Sequence, residues 1–301
     1  MRFYFTSVTN DDYLKYLQDN DCCNILISYL EQRKIETLIE KNIPNISLFV
    51  DSGAFSAFTR GKKVDIDKYI EFLNQYHKKF DLYASLDVIP DYDSTESVRQ
   101  SSVETFNNFL YMRERLTDKD KCVITFHFGE DYNMLRQILQ FEDEFGRLKY
   151  LALGGLARAS VDDRFAFIEK CYEIIKECNR EDLQIHLFGV TDMSLCERFG
   201  ASSVDSTTWV RAASFGEICT DAGRLVVSEN RISDNKHLLH KSELIKTQCV
   251  EEMYNCGFEL EDLMNSSKSR ELYNILWFHK KAQLISDPKF EFTIAKCVDL
   301  W

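Results

Sequence analysis

The chain has 301 residues, 45% hydrophobic and 13% aromatic, which is enough to build a sizeable core in one large α/β domain or two smaller ones. Its net charge of −12, from 49 acidic against 37 basic side chains, argues against a broad electrostatic grip on nucleic acid but leaves room for a local basic groove. No window approaches the roughly 18–20 uninterrupted apolar residues of a membrane span. The start, Met1-Arg2-Phe3-Tyr4-Phe5-Thr6, lacks a signal-peptide apolar run, and ten cysteines then read as reduced thiols, so a cytoplasmic protein with no membrane partner is expected.

In chain order, short β-branched or aromatic runs alternate with stretches of helical periodicity. Strands are predicted at 2–7, 24–29, 46–50, 81–87, 122–127, 149–153, 184–188 and 202–205. Helices are predicted at 66–79, with Ile66, Tyr69, Ile70, Leu73 and Tyr76 on one face and Asp65 as N-cap, and at 98–110, with Val98, Val103, Phe106 and Leu110 facing inward. A third, at 162–177, buries Phe165, Ile168, Tyr172 and Ile175. Eight strands separated by helices match a (β/α)₈ TIM barrel, with an open doubly wound sheet as the competing arrangement. This assigns 1–235 to the barrel and 236–301 to a C-terminal helical extension packed on it, with helices around 241–254 and 268–284.

Chemistry-bearing residues fall at the strand ends. Asp51 follows ISLFV, Asp87 closes DLYASLD, His127 closes CVITFH and leads into Phe128-Gly129-Glu130-Asp131, Gly154-Gly155 follow YLAL, and Asp205 closes SSVD. In a barrel those ends converge on one mouth, and three carboxylates there suit acid/base and nucleophilic work on a glycosidic bond. Each residue also has an ordinary explanation: a helix cap or turn for a single aspartate, a tight turn for the glycine pair, a satisfied core position for His127.

Together these residues resemble the tRNA-guanine transglycosylase superfamily, whose members exchange guanine for a 7-deazaguanine base. The family's Asp-Ser-Gly-Gly-Phe-Gln stands here as Asp51-Ser52-Gly53-Ala54-Phe55-Ser56, and its Gly-Gly-Leu-Ala as Gly154-Gly155-Leu156-Ala157. Its His-x-x-Gly followed by a Val-Asp segment is matched by His186-Leu187-Phe188-Gly189 and Val204-Asp205. The resemblance covers roughly residues 46–225, and the strings HFGED, LALGG, HLFGVTD and VDSTTW look most like the phage and genomic-island enzymes that modify DNA. It implies that Asp205 is the nucleophile and Asp51 the general acid/base. Asp87 would bind the base's donor edge, with Ser52, Phe55, His127, Gly154 and Gly155 completing the base pocket. Trp209 and Arg211 are candidates for wedge or phosphate contacts, with packing the ordinary alternative for Trp209. The implied partners are DNA, with tRNA as the alternative, and a free 7-deazaguanine base. A homodimer or helper protein belongs to the same expectation, as does a host-cytoplasmic location if the gene is a phage's.

The pattern departs from the family in places. Ala54 and Ser56 replace Gly and Gln, and His127-Phe128-Gly129 stands where tRNA enzymes carry Gln-Gly-Gly. The Cys-x-Cys-x-x-Cys zinc run is absent, so no cofactor is expected. The nearest substitute is His237 and His240 with Cys249 and Cys256, able to bind zinc but irregularly spaced. Arg60, Lys62 and Lys63, with Lys78-Lys79, are expected to form a local basic surface. Exchange in tRNA, hydrolysis of a deazaguanine nucleoside and a non-catalytic partner subunit are the competing functions.

Overall fold

The computed structural model describes residues 1–8, 10–156 and 159–290. Eight parallel strands close into a barrel: β1 (Arg2–Phe5), β2 (Asn24–Ser28), β3 (Ser47–Asp51), β4 (Leu82–Ala84), β5 (Cys122–His127), β6 (Tyr150–Gly154), β7 (Gln184–Leu187) and β8 (Ser203–Ser206). Each pairs with its neighbours in the chain, and β8 closes on β1 with Tyr4 opposite Asp205. An open doubly wound sheet is thereby excluded.

The helices are α1 (Asp11–Asp19), α2 (Gln32–Glu40), α3 (Ala54–Thr59), α4 (Ile66–Gln75), α5 (Thr95–Arg115), α6 (Tyr132–Gln140), α7 (Val161–Glu177), α8 (Met193–Phe199) and α9 (Thr208–Ser214). After the hairpin β9 (Glu217–Thr220) and β10 (Gly223–Val226) come α10 (Glu243–Asn255), α11 (Leu260–Asn265) and α12 (Ser267–Leu284). No helix among the described residues is long and apolar enough to cross a membrane. All nine described cysteines are free.

The side-chain alternation of a strand divides each one between two cores. Tyr4, Leu26, Phe49, Leu82, Ala84, Val123 and Ala152 point inward and fill the lower barrel. Their outward neighbours, such as Phe3, Phe5, Val50 and Ile124, pack under the helices. Two residues further along the inward rows the chemistry changes: Thr6, Ser28, Asp51, Thr125 and Gly154 succeed Tyr4, Leu26, Phe49, Val123 and Ala152. The apolar plug thus ends one layer below a polar mouth.

Helix α4 starts where expected, with Asp65 accepting from the Asp67 and Lys68 amides, and buries Tyr69, Ile70 and Leu73. Helix α5 departs from expectation. It extends well beyond 98–110, leaves Val103 exposed, and buries Ser101, Ser102, Thr105, Phe109 and Met112 instead. Small hydroxyl residues lie on its inner face because that face pins a loop. Thr105 Oγ1 accepts from the Val88 amide at 2.9 Å, Asn108 donates to the Leu86 carbonyl at 3.0 Å, and Met112 Sδ accepts from the Leu86 amide. The loop so held carries Asp87.

The C-terminal helices pack on the barrel. Helix α12 covers β1, with the Phe278 ring stacked on Phe3 at 4.6 Å, and its buried Asn274 bridges the Trp209 carbonyl to the Cys219 amide. Arg270, also buried, donates to the Ala213 and Leu263 carbonyls.

Candidate active site

The ordinary fate of an aspartate after a strand is seen twice: Asp131 caps α6 and Asp192 caps α8. Asp51, Asp87 and Asp205 do not act this way. Asp51 ends β3, and its carboxylate accepts from the Gly53 amide at 3.0 Å; Gly53, not Asp51, occupies the cap of α3. Gly53 has φ 77°, and a Cβ there would stand 2.7 Å from Leu30 and Ser28 side-chain atoms, so the turn that aims Asp51 inward requires glycine. Burial, then the neighbouring Asp87 and, more weakly, Asp205, push the Asp51 carboxyl up to about 7, against the Gly53 hydrogen bond. That coupling places three carboxylates from three strand ends in one electrostatic cluster.

Asp87 faces His127, whose Nε2 lies 3.3 Å from Asp87 Oδ2. On the other side of the ring, Nδ1 is 3.2 Å from Glu130 Oε1, while Glu130 Oε2 accepts from the His127 amide. Burial disfavours the imidazolium, but Asp87 and Glu130 together outweigh it and push His127 up to about 10. The ring is therefore a cation at neutral pH with both nitrogens engaged by carboxylates. Asp87 Oδ1 is buried with no hydrogen-bond partner, an acceptor left open at the mouth.

Gly154 explains how the imidazole fits. It lies opposite His127 in the β5–β6 register, and a Cβ on it would stand 2.7 Å from Thr125 Cγ2 and 2.9 Å from His127 Cδ2. Gly155, at φ 75°, turns the chain away against the Phe128 backbone.

Asp205, 8% exposed, sits across the mouth on β8. Its Oδ1 accepts from the Gly189 amide at 2.8 Å and lies 3.4 Å from His186 Nε2, too poorly aligned for a hydrogen bond but within ion-pair reach. The other ring nitrogen of His186 contacts Ser203 Oγ at 2.8 Å. Both protein contacts fall on one carboxylate oxygen, and the second is left to the mouth.

The remaining expected residues divide. Phe55 is 61% exposed on α3, so its ring stands at the rim and not in the core. Ser52 is buried, its Oγ accepting from the Ala54 amide. Arg211 is exposed beyond β8. Trp209 is not at the surface: it is fully buried, its Nε1 donates to the Thr6 carbonyl at 2.9 Å, and its ring meets Tyr13 and Phe5 edge-on. A wedge into DNA is thus ruled out for Trp209, because the helix following Asp205 turns its large apolar residue under the barrel seam.

The possible zinc set is not assembled. Among the described residues no group of three or more His, Cys, Asp or Glu side chains could hold a metal ion. His237 is buried with Nδ1 accepting from the Leu239 amide, His240 points to the Ile232 carbonyl, and Cys249 is buried. The expected single basic surface is also split. Arg60, Lys62 and Lys63 precede α4 at the mouth, whereas Lys78 and Lys79 follow it, next to the start of β4, about 15 Å of helix away. Ala157, the last residue of the Gly-Gly-Leu-Ala motif, lies outside the described residues.

Two participants were not singled out from the sequence. Glu130 is three residues past His127 and doubles back onto it; Gly189 supplies the amide that holds Asp205. The only sequence signal for either was membership of a strand-end string. No family model matches this chain, and no curated protein matches it.

Proposed function

We propose that the protein is a base-exchange transglycosylase that replaces guanine in DNA with a 7-deazaguanine derivative such as preQ0. The observation that carries this reading is the cluster of Asp51, Asp87 and Asp205 at one mouth, each in a different environment. Asp51 is poised near neutrality, Asp87 has an open buried acceptor, and Asp205 has one restrained and one free oxygen.

In this reading Asp205 attacks C1′ of the target nucleotide through its free oxygen. The C1′–N9 bond breaks with its electron pair passing to the purine, and Asp51 in its protonated form delivers the proton that lets guanine leave neutral. Asp51, now a carboxylate, takes the N9 proton of the incoming base. That nitrogen then attacks C1′, and the Asp205–C1′ bond breaks to restore the enzyme. A group with its pKa near 7 suits a role that needs both protonation states in one cycle. Asp87 Oδ1 accepts from the N1–H and N2–H edge of the purine, since a carboxylate offers only acceptors. Of the glycine pair, Gly154 spends its amide in the β5–β6 ladder and makes room beside His127, and the amide of Gly155 faces O6. A stacked base hides C1′, so the target nucleotide must be unpaired or flipped out.

The test is base exchange. The protein is incubated with radiolabelled guanine and duplex DNA, single-stranded DNA or tRNA. Label should enter DNA with the natural chain, and Asp205→Asn should lower the rate by on the order of 10⁴–10⁶-fold. Label entering tRNA alone keeps the chemistry and overturns the DNA substrate. No label in any polymer from folded protein overturns the transglycosylase reading.

A further inference from the structure

Helix α3 leaves the mouth directly after Asp51, and its outer face is unlike the rest of this acidic chain. Phe55 and Phe58 are 61% and 53% exposed, and residues 58–63, Phe-Thr-Arg-Gly-Lys-Lys, are exposed throughout. Arg60, Lys62 and Lys63 make no ion pair within the described residues. The nearest acids along the chain are already engaged: Asp65 caps α4 and pairs with Lys68, and Asp67 accepts from the Tyr111 hydroxyl at 2.7 Å. The backbone of the segment is fixed without these side chains, since the Lys62 amide donates to Ala57 O at 2.8 Å and Gly61, at φ 63°, closes the turn. Ala57 is the buried anchor of α3.

A single exposed aromatic needs no explanation. Two of them with three unpaired cations, within nine residues at the rim of a carboxylate mouth, form a surface with a defined complement. Its cations attract an anionic chain that the net charge of −12 would otherwise repel. Its phenylalanines offer flat apolar faces to bases that are not already stacked on one another. Duplex DNA presents phosphates but hides base faces; an unpaired strand presents both.

We propose that α3 and the turn after it are a binding surface for single-stranded DNA beside the active site. Phe58 stacks on a base flanking the target nucleotide, and Arg60, Lys62 and Lys63 hold the adjacent phosphates. The choice of DNA over other polynucleotides rests on the function proposed above; the surface itself rests on the exposed aromatic and cationic residues.

The experiment measures binding of a fluorescein-labelled single-stranded DNA oligonucleotide to the full chain by anisotropy, across a salt series and with no free base present. Arg60→Ala/Lys62→Ala/Lys63→Ala should weaken binding and flatten the slope of log K against log salt by about 2, the share of three phosphate contacts on a single strand. Phe58→Ala should weaken it about ten-fold with the salt slope unchanged. Lys78→Ala/Lys79→Ala removes charge at the opposite end of α4 and should leave both quantities as they are. Equal losses from the two basic sets, or none from either, overturn the surface. Loss seen with RNA of the same sequence but not with DNA overturns the assignment to DNA. Because no exchange occurs in this assay, a failed base-exchange experiment leaves its outcome standing, and the reverse holds as well.

Discussion

The mouth of the barrel and the seam where α9 and α12 pack beside β8 and β1 treat their buried polar groups oppositely. At the seam Trp209, Asn274 and Arg270 are buried and hydrogen-bonded, and only the Tyr273 hydroxyl there lacks a partner. At the mouth Asp87 Oδ1, Thr6 Oγ1, Thr125 Oγ1 and His186 Nε2 are all buried without a hydrogen bond. An unsatisfied buried polar atom costs about 1–3 kcal/mol, so such a cluster persists where something outweighs it. The seam closes the fold, whereas the mouth keeps hydrogen-bonding capacity open. The contrast is between these two regions and not with the whole fold, since Ser85 Oγ, Arg136 Nη1 and His237 Nε2 are also buried without a partner among the described residues.

The comparison is tested most strongly at Asp51. Asp51→Asn should lower base exchange by about 10²–10⁴-fold, the range of a lost general acid/base. Its effect on stability should have the opposite sign. In the folded chain the carboxyl is pushed up to about 7, above its unfolded value, so the native state holds a proton that the unfolded chain has released. Stability from this site therefore falls as pH rises between about 4 and 7. Asn removes that dependence, so the variant's urea midpoint should gain on the natural chain's over this interval. A midpoint difference that stays flat from pH 4 to 8 would mean Asp51 is not held in this environment.

The seam should respond in stability alone. Trp209→Ala removes a fully buried ring and the hydrogen bond to Thr6, at a cost of about 3–5 kcal/mol. Measured by urea unfolding, this loss should come without any change in the affinity of the folded fraction for single-stranded DNA. A weakened affinity of the folded fraction would put the ring back among the DNA contacts.

The smallest effect is expected at Glu130, which acts through His127 on Asp87. Glu130→Gln should raise KM for the free base about ten-fold while kcat moves less. It should also alter the pH profile of stability. His127 is raised to about 10, so its contribution is complete below its unfolded value near 6.5 and is lost as pH rises through 10. With one carboxylate removed, the folded value drops towards 6.5, so the contribution should be smaller and its loss complete at a lower pH. A KM increase with an unchanged stability profile would mean that Glu130 does not act through the imidazolium.

Much of the barrel was legible because its strands carry a period-2 code and its helices a 3.6 code. All eight strands lie within the predicted runs or within a residue of them, and the helices expected around 241–254 and 268–284 are α10 and α12. The main exceptions have physical causes. Strand β4 stops at Ala84, three residues before Asp87, because α5 side chains bind the backbone that a longer ladder would have used. The inner face of α5 was misread because serine and threonine count as polar in a periodicity, yet here they serve as short anchors in a crowded interface. Hairpin β9–β10 was not read as strands, since four-residue strands around a Thr-Asp-Ala-Gly turn carry little periodic signal.

At the site the sequence specified which residue types stand at the strand ends and in what order, because the chain itself dictates strand position and inward alternation. It could not say which aspartates are caps: Asp131 and Asp192 are, while Asp51, Asp87 and Asp205 share a mouth. Nor could it pair His127 with Asp87 and Glu130, send the Gly189 amide to Asp205, or bury Trp209. Those contacts join strands and helices far apart in the chain, and the pKa of a carboxylate depends on the burial and charge that such contacts create. Barrel closure decided them, by bringing eight strand ends into one space and α12 against β1.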